Sequence, residues 1–162
     1  MGIKFAHVEY SMGTKSLDLF VVGCAANPPC EDCCNPEIRN FNLDGMSCEV
    51  VLKKVKELNK TFDKLITRFI LVGGDFVDNY KVYPDEMISF LTELRKLEKP
   101  LYLFTRHELN EIPRELLELV DYVKTGAYIP SLKCDDNIQM GIKLATSNQQ
   151  IFKVSEINSI IS

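Results

Sequence analysis

The chain has 162 residues, of which 46% are hydrophobic and 26% charged, and a formal net charge of −4. That length predicts one domain, residues 1–162, able to bury roughly 70% of its unfolded surface without disulfide staples. The acidic balance argues against a nucleic acid held through its phosphates, and no apolar run approaches the ~20 residues of a membrane span.

The opening Met1-Gly2-Ile3-Lys4-Phe5-Ala6-His7 does not read as a signal peptide, so a cytoplasmic location, where thiols stay reduced, is expected. A short strand near residues 5–8 and a loop over 11–14 come first. Residues 17–22, Leu-Asp-Leu-Phe-Val-Val, predict a buried strand that runs straight into Gly23 and Cys24. Beyond it, Cys24, Cys30, Cys33 and Cys34 place four thiols within eleven positions, and Pro28, Pro29 and Pro36 deny that stretch a regular ladder or helix. Ser47 then fits a helix N-cap, with Glu49 in the first turn and Val51, Val55, Leu58 and Phe62 on one face, which predicts a helix over 48–59. Its lysines, Lys53, Lys54, Lys56 and Lys60, alternate with Glu49 and Glu57 and read as a solvated face.

A second apolar strand, 65–72, ends in Gly73-Gly74-Asp75. Pro84 suits the first position of the next helix, Asp85 and Glu86 complement its dipole, and Met87, Phe90, Leu91, Leu94 and Leu97 make its apolar face. Strand 101–105, a short helix over 113–119 and strand 122–125 follow, with a last strand over 150–154 in a more polar tail. His107 reads as an incidental surface histidine. Strands alternating with helices predict an α/β fold with a mostly parallel sheet. In such a sheet the loops after successive strands emerge on one side. The cysteine loop, Gly73-Gly74-Asp75, Thr105-Arg106-His107 and Gly126 are therefore expected to face one another.

Three readings of the thiols compete. Four could hold a structural zinc, although the adjacent Cys33 and Cys34 fit one tetrahedral ion poorly. Cys30 and Cys33 could form a redox dithiol, which would have to open a helix. Cys24, Cys30 and Cys33 could instead ligate a [4Fe–4S] cluster that keeps one iron open to a non-protein ligand. The last reading fits best with a glycine-rich loop as neighbour.

The stretch from Phe20-Val21-Val22-Gly23-Cys24 through Cys33-Cys34-Asn35-Pro36-Glu37 resembles the cluster loop of radical S-adenosylmethionine enzymes, most closely that of the anaerobic ribonucleotide reductase activating enzymes. Leu71-Val72-Gly73-Gly74-Asp75, the segment 101–109 containing Thr105, the segment 120–128 and Ser147-Asn148-Gln149 align in the same order, so the resemblance spans roughly residues 17–154. It implies a partial (β/α) barrel of radical S-adenosylmethionine type, with Cys24, Cys30 and Cys33 on a [4Fe–4S] cluster. S-adenosylmethionine would be the second cofactor, approached by Gly73, Gly74, Asp75 and Thr105, with Asp75 accepting from its ammonium group. Reductive cleavage would give methionine and a 5′-deoxyadenosyl radical. The implied partners are a glycyl radical enzyme, the large subunit of an anaerobic ribonucleotide reductase, and an electron donor such as flavodoxin or ferredoxin. The sequence departs from the family pattern in having five residues rather than three between the first two cysteines, and Arg106 where the activating enzymes have Gly. A radical enzyme acting on a small molecule, similar to the carboxy-deazaguanine synthases, and a non-catalytic metal-binding module are the alternatives.

Overall fold

A computed structural model of the chain describes residues 2–25 and 36–161. β1 (Lys4–Ser11) runs antiparallel to β2 (Ser16–Val21), which leads to the cysteine loop. After it, the two-residue β3 (Met46–Ser47) pairs with the start of β1 and passes into α1 (Cys48–Thr61). The Ser47 hydroxyl caps α1 by accepting from the Val50 N–H, and Val51 and Val55 bury its inner face. Phe62, expected on that face, lies past the helix end and is 47% exposed.

β4 (Arg68–Gly73) starts three residues later than residues 65–72 suggest, because the Leu65 and Ile66 N–H groups turn back to the Phe62 carbonyl. Then come α2 (Phe76–Val82), α3 (Pro84–Arg95), β5 (Leu101–Phe104), the one-turn α4 (Arg114–Leu117) and β6 (Tyr122–Thr125). In α3, Pro84 opens the first turn and Met87, Phe90, Leu91 and Leu94 are buried, as the apolar spacing predicts. A small hairpin of β7 (Ile138–Gln139) and β8 (Ile142–Lys143), turned through Met140 and Gly141 at positive φ, precedes β9 (Gln150–Lys153) and α5 (Val154–Ile161).

The sheet order is β3-β1-β2-β4-β5-β6-β9. Its four central strands, β2, β4, β5 and β6, are parallel, while β1 and β9 add to the two sides antiparallel. One face carries Leu17, Leu19, Val21, Phe69, Leu71, Leu101, Leu103 and Val123 into a core with α1, α2, α3 and α4. The opposite face is different. Ile70, Tyr102 and Ile151 pack there under Ile142 and Leu144 of the hairpin segment, and the Tyr102 and Tyr122 rings stack with centroids 4.4 Å apart. Nearer the strand ends, the same face bears the half-buried row Phe20, Val72, Phe104 and Lys124, one residue from each parallel strand. None of the helices among the described residues is long and apolar enough to cross a membrane.

Candidate metal centre

The parallel strands bring their C-terminal ends to one rim, and three turns on it are bonded to one another. Val21 at the end of β2 lies opposite Gly73 at the end of β4. From there the Gly74 N–H donates to the Val21 carbonyl (2.7 Å) and the Asp75 N–H to the Gly23 carbonyl (2.7 Å). A Cβ on Gly74 would collide with the Gly23 backbone, and one on Gly73, whose φ is +108°, would stand 2.6 Å from the Val21 nitrogen. Two glycines are thus required for the turn to lie flat beneath the first cysteine. Because the obstacle is backbone, Gly74→Ala is expected to cost at least about 1–3 kcal/mol, the usual range for overpacking, read as a lower denaturant midpoint.

Cys24 itself is half-buried at the loop's entry, and its N–H donates to the Arg39 carbonyl at 2.9 Å. Gly23 donates likewise to the Ile38 carbonyl (2.8 Å). The outgoing and returning limbs of the cysteine loop are therefore paired. Cys30, Cys33 and Cys34 lie outside the described residues.

Asp75 is 2% exposed and caps α2. Its Oδ1 accepts from the Val77 N–H (2.9 Å) and the Asp78 N–H (3.3 Å), the Thr105 hydroxyl lies 3.0 Å from both carboxylate oxygens, and the Arg106 N–H donates to Oδ2 (3.1 Å). This ties the loop after β4 to the loop after β5. Burial, followed by the neighbouring charge of Asp78, raises its pKa above the ordinary carboxylate value, against the Arg106 N–H that lowers it. The task expected for this carboxylate, accepting from a cofactor ammonium, needs acceptor capacity that these five contacts already use. Thr105, likewise, is 3% exposed and spends its hydroxyl on Asp75.

Sequence reasoning missed the centre of this network, Asp78. It accepts from the Ala25 N–H (2.8 Å), next to Cys24, and from the Arg106 guanidinium (3.0 and 3.3 Å), and lies 2.8 Å from His107 Nε2. Burial would raise its pKa, but these donors together hold it below the ordinary value. The one Asp78 carboxylate thus gathers the Arg106 guanidinium and the Ala25 N–H, which sets the guanidinium beside Cys24. His107 is 5% exposed rather than a surface histidine. Asn79, also buried, donates to the Val22 and Gly23 carbonyls and completes the seat of the cysteine loop on α2. The only signal for α2 was Asp75 followed three residues later by another acid, a short capping pattern without apolar periodicity.

The fourth turn is held from the tail. The Gly126 N–H donates to the His107 carbonyl (3.1 Å), the Gln149 amide donates to the Gly126 carbonyl (3.2 Å) and the Asn148 amide to the Ala127 carbonyl (3.0 Å). Asn148 and Gln149 thus clasp the turn after β6 to the tail.

The donor chemistry at the first cysteine fits a sulfide-rich, anionic cluster. A guanidinium stands against the thiol, and its buried Nε has no hydrogen-bond partner among the described residues. The comparison with known families agrees. Residues 12–152 match the model of a domain that holds a 4Fe–4S cluster, which makes this an iron–sulfur protein. The chain belongs to the 4Fe-4S single cluster domain family. A search of curated proteins found no match.

Proposed function

We propose that this iron–sulfur protein is a radical S-adenosylmethionine enzyme, its sheet a partial (β/α) barrel of that type, which generates a glycyl radical on an anaerobic ribonucleotide reductase. The observation that carries the reading is the packing of the Gly73-Gly74 turn on Val21 and Gly23, the residues that lead into Cys24, with no room for a Cβ between them. Cys24, Cys30 and Cys33 would hold the cluster, which when bound would supply one electron and an open iron site for the reductive cleavage of S-adenosylmethionine to methionine and a 5′-deoxyadenosyl radical.

The chain's own residues bind and orient. Gly73 and Gly74 let the turn after β4 lie against Val21 and Gly23, which sets the backbone of two loops side by side at the rim where a ligand would bind. Phe20, Val72 and Phe104 offer apolar surface beneath the converging loops, and Lys124 Nζ sits 5.7 Å from the Phe104 ring centroid as a cation beside it. Asp75 and Thr105 act one step back, fixing the loops that carry the site. The hairpin covers the deeper row of this face, so access comes from the rim, as a partner's loop would need.

The test is anaerobic. Reduced protein with S-adenosylmethionine is expected to yield 5′-deoxyadenosine, and with the reductase a glycyl radical doublet by electron paramagnetic resonance. Deoxyadenosine formed with a small-molecule substrate and no doublet would replace the protein target by a small molecule. No cleavage by a protein holding its full iron would reject the radical chemistry altogether.

A further inference from the structure

We propose that Arg106, held by Asp78 against Cys24, is a positioning residue that raises the reduction potential of the cluster; the inference rests on the iron–sulfur assignment and deepens it. A glycine at this place could supply neither charge nor side-chain donor. Arg106 supplies both, and its placement is built rather than incidental. Its own N–H is fixed on Asp75, its Nη2 is held on both oxygens of Asp78, and the same Asp78 carboxylate grips the Ala25 N–H, one residue from the cysteine.

The guanidinium side chain is only 26% exposed, so its field at the sulfur is less screened than on a surface. An arginine guanidinium stays protonated across the working range of pH, so the cation persists. Asp78 offsets part of this charge, so the effect rests on the guanidinium's N–H donors as well as on its cation.

Reducing a [4Fe–4S] cluster adds negative charge, which spreads onto its sulfur ligands. Hydrogen bonds to those sulfurs and a nearby cation stabilise the reduced state and move the potential upward. Lysine would keep the charge but lose the planar fork that lets one side chain span Asp78 and Cys24. Glutamine would lose the charge.

The experiment is a mediator-poised redox titration of the reconstituted protein, with the signal of the reduced cluster followed by electron paramagnetic resonance. Arg106→Gln is expected to lower the ratio of reduced to oxidised cluster at least about tenfold at a fixed potential, a downward shift of about 59 mV for one electron. Arg106→Lys is expected to fall between this variant and the wild type. Equal potentials in all three proteins, each with full iron content, would overturn the inference and leave the iron–sulfur assignment standing.

Should the glutamine variant fail to assemble, protein grown with 15N-guanidinium arginine decides. Electron–nuclear double resonance of the reduced wild type is expected to show a 15N coupling that Arg106→Lys removes. No such coupling overturns the inference. A wild-type protein that takes up no iron at all overturns the assignment and the inference together.

Discussion

Cys24→Ala, Cys30→Ala and Cys33→Ala proteins are expected to emerge from anaerobic reconstitution without the brown colour of a cluster, whereas wild type and Cys34→Ala carry about four irons per chain. The argument joins the family match to the geometry of the first cysteine. Cys24 follows three residues after β2, the strand that pairs with β4, and its backbone is held by the Arg39 carbonyl, so the first ligand's main chain is fixed by the protein itself. Cys30 and Cys33 are the further ligands that the resemblance to radical S-adenosylmethionine enzymes implies, through the register of Cys33-Cys34-Asn35-Pro36-Glu37. Iron content and the absorbance of the charge-transfer bands measure the result. Loss of iron on Cys34→Ala with retention on Cys33→Ala would move the third ligand by one residue. A zinc ion in place of iron, lost on replacing any of the four thiols, would sink the cluster reading.

The second large effect is expected at Asp75. Asp75→Ala removes the cap of α2 and leaves the Thr105 hydroxyl and the Arg106 N–H without their acceptor inside the protein. Losing a helix cap costs about 1 kcal/mol, and an unpaired buried donor about 1–3 kcal/mol, while relief of repulsion from Asp78 returns part of this, so a net loss of about 3 kcal/mol is expected. Asp75→Asn keeps an acceptor oxygen and is expected to lose less. Urea unfolding of the metal-free proteins measures both. A midpoint unchanged in Asp75→Ala would mean that the network does not join the loops after β4 and β5.

Much of the frame was legible because it follows short-range rules. Pro84 with its acidic first turn, the apolar spacing of Met87, Phe90, Leu91 and Leu94, and the strand 122–125 each carry their signal within a few residues, and each is found in place. The convergence of the loops followed from parallel pairing alone. What escaped depends on partners far along the chain. Asp78 meets Ala25 across 53 positions and His107 across 29, so neither its burial nor that of His107 has a local trace. α2 and the β7–β8 hairpin are too short for a period to emerge. That Asp75 caps α2 was not legible either, because a turn motif does not show that the next residues form a helix needing a cap.

The pairing of the two limbs of the cysteine loop bears on its unusual length. Gly23 with Ile38 and Cys24 with Arg39 close the intervening segment by main-chain bonds. The ring is tied by the polypeptide, so a metal ion is not needed to bring its ends together. Closure entropy then depends on the segment only through the logarithm of its length, and lengthening it by two residues costs about 0.1 kcal/mol. The five-residue spacing between Cys24 and Cys30 is, on this account, a nearly neutral insertion in a loop whose ends the sheet already holds.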